Sequence, residues 1–414
     1  MLGAGPPQLG LLAAARRLGV LVVAADRDPS APGFRYCHRR AIVSVEDEPA
    51  LERLARAEGS DGIVAAGSDR SVAIAARIAA KLALPHPVTP AAAARAVSPQ
   101  RRREALEAAA VPQPRSSLAR TLADVRRAAD ELGYPCLVRA ADRPGQDRVA
   151  RSADAVAGAA AEALADSRTE YCLVEAIPPG RRLAVSGFLV GGAFYTVLVA
   201  AREPDVGVAM AYTWPAAEPP VRVSGPVEGA PGEPGGSPGD TLQIAVDAAR
   251  AAAAVLEVTE GPFHAEVIAG EDGALVAEAT PRLGGGHDGE LARVAVGVDL
   301  NELAVRAALG EPVAESELTP SPRVGGACVR FLVAPPGDLR EVTGLAEAFA
   351  LDGIRGIRVY RRPGHVFGEL GRAADRAGAV LAVGADAAEA LERAARAAET
   401  IRFDTSPESV PLPG

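Results

Sequence analysis

Residues 261–286 read GPFHAEVIAGEDGALVAEATPRLGGG. Two β-like runs, Phe263–Ala269 and Ala274–Thr280, flank Glu271-Asp272-Gly273, a short turn with glycine where a three-residue hairpin takes a left-handed backbone. Pairing centred on Asp272 predicts that Glu266 stands opposite Glu278. Period-two alternation then gathers His264, Glu266, Val276, Glu278, Thr280 and Arg282 on one face, with Ala265, Val267, Ala269, Leu275, Ala277 and Ala279 on the other. Like charges across a ladder repel, so the pair requires a counter-charge, either a bound cation or Arg282. Two carboxylates holding Mg2+ beside phosphates meet that need; a solvated face screened by water and one arginine meets it too. The sequel, Arg282 followed by Gly284-Gly285-Gly286, His287 and Asp288, favours the first, because consecutive glycines let backbone amides approach an anion closely.

On these residues the stretch resembles the ATP-grasp superfamily, within it the carboxylate–amine ligases related to biotin carboxylase and the L-amino-acid ligases. The resemblance implies an α/β (α+β) ATP-grasp fold in which Glu266 and Glu278 hold Mg2+ or Mn2+, with Thr280 where the family has asparagine. It further implies that Arg282, with the backbone of Gly284 and Gly285, holds an acyl phosphate, and that His287 orients the incoming substrate. Three segments follow: an N-terminal Rossmann-like α/β domain over residues 1–88, an ATP-grasp domain over 89–310 whose small lobe covers roughly 112–182, and a C-terminal lobe over 311–414.

Composition agrees with an enzyme of this size. The chain has 414 residues, room for two or three domains. Only 4% of residues are aromatic and alanine supplies much of the apolar content, so packing must rely on close helix contacts. A net charge of −9 argues against a nucleic-acid partner, which needs a basic surface. Cys37, Cys136, Cys172 and Cys328 are widely spaced, as free thiols in a reducing compartment would be. With neither a leader pattern nor a long apolar run, a cytoplasmic protein off the membrane is expected.

Met1–Gly10, a helix over Leu11–Leu18 and a strand over Val20–Ala25 make a βαβ unit. Its first strand has almost no residues before Gly3, so the natural start is expected upstream. Gly3-Ala4-Gly5 is an incomplete dinucleotide fingerprint, which makes a nicotinamide enzyme the weakest reading. A helix over Leu51–Gly59, a strand over Gly62–Ala66 and a helix over Ser71–Leu82 capped by Ser71 continue a small parallel sheet. Pro85, Pro87 and Pro90 mark the boundary. Arg101–Ala110 is read as a helix on which Arg101 and Arg102 are either solvated charges or, as the resemblance allows, substitutes for the family's phosphate lysine.

Over the small lobe the resemblance thins. Ser98-Pro99 occupies the family's Asp-Lys position; Arg139 stands for the phosphate lysine, although its planar fork is not equivalent to an ammonium. The flap ADRPGQDRV has one glycine. Cys172, Leu173, Val174 and Glu175 fall where the family's hinge reads adenine through backbone groups, and Arg182 replaces a ribose-binding acid, though it cannot accept hydroxyl protons. Leu183–Val190 and Ala193–Ala200 form a hairpin around Gly191-Gly192. Ala217–Asp240 is read as a surface insertion, Thr241–Leu256 as a helix behind the opening hairpin, and Val296–Leu309 as a helix with Asp299 as cap. In the C-terminal lobe Gly325–Ala334, Gly353–Tyr360 and Ala379–Gly384 are strand-like, Gly344–Phe349 and Ala387–Ile401 helical, and Thr405–Gly414 frays. The reading is an ATP-dependent carboxylate–amine ligase working through an acyl phosphate on a small-molecule carboxylate and amine. Family likeness implies a homodimer. The alternative is a degenerate ATP-grasp protein that binds nucleotide or a partner without turnover.

Overall fold

The computed structural model describes residues 1–142, 148–204, 207–216, 238–270 and 273–406. The flap residues 143–147, insertion residues 217–237 and turn residues 271–272 lie outside them. An eight-stranded sheet carries the site. Its order is Gly273–Thr280, Gly261–Gly270, Arg181–Val190, Ala193–Glu203, Ala211–Trp214, Gly326–Leu332, Gly378–Gly384, Ile354–Val359. Every neighbouring pair is antiparallel. Gly326–Leu332 pairs with Ala211–Trp214 on one side, so the division proposed at residue 310 separates segments whose strands share one sheet.

The opening hairpin forms and Glu266 pairs with Glu278, but next to the turn the register is one residue off the pairing expected about Asp272. A bulge after Glu266 leaves Ala277 without a partner, and beyond it Val267 pairs with Val276 and Gly270 with Gly273. One extra residue flips the following alternation. Val276 therefore joins the core with Val267, Ala265 and Ala279, while Leu275 stays half-exposed, a correction to the expected faces. The helix Pro238–Val255 packs there as expected: Ala245, Ala249, Ala252 and Ala253 are buried against the hairpin's alanines and valines. Side chains ending at Cβ let helix and sheet approach closely, which is how a chain poor in aromatics reaches native density.

At Gly191-Gly192 both residues have positive φ, 57° and 82°, the primed turn that suits strand twist. In the N-terminal domain Val23–Asp26 pairs in parallel with Arg39–Ile42, and Leu2 bridges in parallel to Ala25 and Ala65. The strand expected at Gly62–Ala66 is reduced to that bridge. The helix Asp69–Leu82 is capped by Ser68 rather than Ser71, because Ser68 is extended and its Oγ accepts from Ser71 N at 3.2 Å. The helix expected from Val296 is two: Asp288–Val296, and Leu300–Ala308 capped by Asp299.

The small lobe is a four-stranded sheet in the order Ser116–Ala119, Cys172–Ala176, Cys136–Ala140, Arg148–Ala150. Helices Leu122–Leu132 and Ala153–Asp166 close its core around Val125, Val138, Val156 and Val174. A three-stranded sheet of Val366–Phe367, Gly337–Thr343 and Arg402–Ser406 was not expected, and it takes Thr405 into a strand instead of a fraying tail. No helix of the described residues is long and apolar enough to cross a membrane.

Candidate active site

The two glutamates at the centre of the hairpin have different neighbours. Glu278 accepts from Arg282 Nη2 at 3.2 Å. Glu266 accepts from the Tyr212 hydroxyl at 3.3 Å and has Arg202 at 3.6 Å and Arg182 at 3.8 Å. The carboxylates keep 18% and 27% side-chain exposure for Glu266 and Glu278, which leaves both reachable from the cleft. Burial pushes the Glu278 carboxyl up, but Arg282 and Arg102 outweigh it and hold the group below the ordinary carboxylate range. Arg182, read as a misplaced ribose residue, is thus a counter-charge of Glu266.

Arg282 is buried and its donors are occupied. Nε donates to Asp69 Oδ1 at 2.5 Å, Nη1 to Leu283 O at 3.0 Å and Nη2 to Glu278. Asp69 comes from the first turn of helix Asp69–Leu82, so the N-terminal domain is pinned to the hairpin exit through one guanidinium. Burial raises the Asp69 carboxyl above its usual range, against the pull of Arg282.

On the same face as the glutamates, His264 Nδ1 lies 2.7 Å from Asp288 Oδ2, an ion pair bent away from a straight hydrogen bond. Ser186 Oγ donates to the same oxygen at 2.7 Å. Burial works against the imidazolium, yet Asp288 prevails and raises the His264 pKa above its usual value. A Cβ on Gly284 would overlap both Asp288 Oδ2 and His264 Nδ1, and one on Gly286 would overlap the Tyr212 ring. Two of the three glycines therefore make room for side chains, while Gly285 faces open space.

His287 is a buried brace rather than a surface loop residue. Its backbone is left-handed (φ 62°), Nδ1 pairs with Glu290 Oε1 at 3.1 Å, and Nε2 bonds the Tyr360 hydroxyl. Glu290 also accepts from Asn301 at 3.1 Å and Arg358 at 2.9 Å, interactions that outweigh burial and hold its carboxyl well below the usual range. With both ring nitrogens engaged, His287 ties the hairpin exit to the C-terminal lobe. Arg376 does so from the other side, its guanidinium 3.5 Å over the Phe331 ring and donating to Ala209 O. Nothing in the sequence pattern singled out Arg376, Tyr212 or Asp69, since each reaches the site only through tertiary contacts.

Three expectations need correction. Thr280 shares the face of Glu278 but is fully buried, and its hydroxyl is engaged with His264 O at 3.5 Å. Cys172, Leu173 and Val174 are not at a sheet edge: they pair with Ser117–Ala119 on one side and Val138–Ala140 on the other, which consumes the backbone groups a hinge would offer. The first residues past both ladders begin at Ile177. Arg102, expected in solvent, is 2% exposed.

Arg139 and Glu175 do meet, but each satisfies the other. Arg139 donates to Glu175 Oε1 from Nε at 2.8 Å and from Nη2 at 2.5 Å, and Arg103 reaches Glu175 Oε2 at 2.7 Å. Burial pushes the Glu175 carboxyl up; the two guanidiniums overcome it and hold it low.

Among the described residues no group of three or more His, Cys, Asp or Glu gathers as a metal site. The hairpin pair fits Mg2+ only with a second donor, because that ion is held by one or two carboxylates and completed by substrate phosphates. The arginines around both glutamates supply the charge to receive those phosphates.

Comparison with known proteins fits this geometry. The chain is 31% identical over 424 residues to the formate-dependent phosphoribosylglycinamide formyltransferase of Burkholderia lata, covering 97% of this chain and 94% of the relative. The chain belongs to this formyltransferase family of ATP-grasp ligases. The corresponding protein of Solidesulfovibrio magneticus is 29% identical, with 98% and 96% covered. Residues 330–406 match the family model for L-amino acid ligase C-terminal domain 2. Among solved structures, an L-amino acid ligase from Bacillus licheniformis superposes with a TM-score of 0.77 at 17% identity over 98% of both chains. The biotin carboxylase domain dimer of Hydrogenobacter thermophilus 2-oxoglutarate carboxylase, solved with MgADP and bicarbonate, gives 0.73 at 15% identity over 98% of this chain and 90% of that one. The ATP-grasp fold expected from the hairpin is the fold of the formyltransferase family.

Proposed function

We propose that this chain is an ATP-dependent carboxylate–amine ligase. A carboxylate oxygen attacks the terminal phosphorus of ATP and ADP leaves; the amine nitrogen then attacks the acyl carbon, the C–O bond to phosphorus breaks and phosphate leaves with its electron pair as the carbonyl reforms, and the nitrogen loses its proton. The observation that carries this reading is the register that sets Glu266 against Glu278 in a cleft ringed by arginines. Glu266 and Glu278 would hold Mg2+, which when bound neutralises charge on the transferring phosphoryl oxygens. Tyr212, Arg182 and Arg202 orient Glu266, and Arg282 orients Glu278. The amides of Gly284 and Gly285 would face the acyl phosphate, a role for fixed donors where charge develops, while Arg282, held by Asp69, Leu283 O and Glu278, fixes the hairpin exit that presents them.

The formyltransferase relatives point to formate as the carboxylate and phosphoribosylglycinamide as the amine. The test is ADP release by purified protein supplied with ATP, Mg2+, formate and phosphoribosylglycinamide. Amine-dependent release that is lost in Glu278→Gln supports the proposal; release unaltered by that substitution contradicts it. The second reading, a nucleotide-binding subunit without turnover, draws on the self-neutralised Arg139–Glu175 pair. MgADP binding without ADP release under any amine would favour it.

A further inference from the structure

A groove of about 700 Å3 opens where the N-terminal domain meets the C-terminal lobe, and none of its lining residues belongs to the glutamate cleft. Leu9 and Ala13 of the helix Leu9–Arg17 line it with Tyr36, with Leu345 and Phe349 of the short helix Leu345–Phe349, and with Ile357 of the strand Ile354–Val359. Two guanidiniums, Arg35 and Arg358, are the charged groups in its wall; no carboxylate lines it. A mostly apolar hollow within the range of about 300–1,000 Å3, with a few placed polar groups, has the make-up of a small-molecule site.

The aromatic rings here are out of keeping with the rest of the chain. Of its eight phenylalanines Phe349 is the exposed one, at 57%, and Tyr36 keeps 41%. Single exposed apolar side chains are ordinary; two aromatics lining one hollow offer flat faces on which a ring can stack. The two arginines differ. Arg358 is matched by Glu290 at 2.9 Å. Arg35 donates to carbonyls, Nε to Pro32 O at 3.1 Å and Nη2 to Val359 O at 3.4 Å, and its guanidinium lies 5.2 Å from the Tyr36 ring centre. Among the described residues no carboxylate pairs with it, so the groove carries a positive charge that its own side chains do not cancel. A solvated arginine is ordinary on a surface, but this one stands beside an exposed ring in an apolar hollow.

We infer that this groove is a second ligand site, one that takes a small aromatic monoanion whose rings lie against Tyr36 and Phe349 while its anionic group meets Arg35. The assignment is independent of the ligase reading. A second copy of this chain is the rival occupant, and charge disfavours it: a two-fold contact sets the same patch against itself, which brings two uncancelled positive faces together.

The test is fluorescence titration of 1-anilinonaphthalene-8-sulfonate into wild type, Arg35→Gln and Phe349→Ser, with its uncharged analogue N-phenyl-1-naphthylamine as control. Thermal melts and sedimentation accompany each protein. Both side chains are exposed, so the melts match wild type. Phe349→Ser weakens both probes about 10-fold. Arg35→Gln weakens the anion by up to about 5-fold and leaves the neutral probe unchanged. Saturating MgADP leaves the bound anion in place. Equal affinity for the anion in wild type and both variants overturns the assignment. So does displacement by MgADP, which puts the probe in the nucleotide cleft, and so does equal loss of both probes in Arg35→Gln, which removes the role of charge. A wild-type dimer that Phe349→Ser turns into a monomer also overturns it, since a second copy then covers the groove.

Discussion

The hairpin and the small lobe solve the same electrostatic problem in opposite ways. On the hairpin, Glu266 keeps its arginines at 3.6 and 3.8 Å, and both glutamates retain access to the cleft. In the small lobe, Glu175 is 3% exposed and clamped by Arg139 and Arg103 at 2.5 to 3.2 Å. Loose pairing at a reachable carboxylate leaves room for a cation to intervene; tight pairing out of water does not. The first arrangement suits the proposed metal site, and the second is closer to a structural lock.

The largest contrast is in turnover. Replacing Glu266 or Glu278 with glutamine is expected to lower amine-dependent ADP release by about 100-fold or more while leaving thermal stability near wild type, as measured by initial rates and melts on the same samples. Glu175→Gln should reverse the pattern. It strands two buried guanidiniums, so destabilisation of about 3–5 kcal/mol in urea unfolding is expected. A melt of Glu175→Gln matching wild type would erase the distinction between lock and site.

A smaller effect sharpens the geometry of the hairpin exit. Gly284→Ala drives a methyl into the His264–Asp288 pair and should cost about 1–3 kcal/mol, whereas Gly285→Ala, with open space around it, should be near neutral. The smallest effect is in pH. The folded pKa of His264 is raised above 6.5, so its contribution to stability is complete below the unfolded value and is lost as pH rises through the folded one. Melting temperature should therefore decline on the alkaline side of 6.5, and His264→Gln should flatten that decline.

What the sequence made legible was local. Alternation anticipated Glu266 opposite Glu278, but the bulge produces that pair: next to the turn Gly270 pairs with Gly273, one residue off the pairing centred on Asp272, and the extra residue Ala277 brings Glu278 to Glu266. The bulge at Ala277 was not legible: one extra residue changes no composition, yet it moves Val276 to the core and Leu275 out of it. Long-range pairing was equally hidden. Asp69 and Arg282 are 213 residues apart, and neither carries a local sign of its partner. Arg102 and Arg103 looked solvated because their helix is polar on most sides, and only tertiary packing decides that these two of three consecutive arginines are enclosed while Arg101 is not. The hinge was misplaced for a related reason, since a strand's sequence does not tell whether one neighbour or two will pair with it.

The most direct measurement is the heat of MgADP binding to wild type and to Glu266→Gln/Glu278→Gln, each with and without Mg2+. Saturable binding that requires both the metal and the two carboxylates is the expected result. Binding that is indifferent to Mg2+ and unchanged in the double variant would mean that the opposed glutamates carry no metal, and the account of this cleft would be wrong.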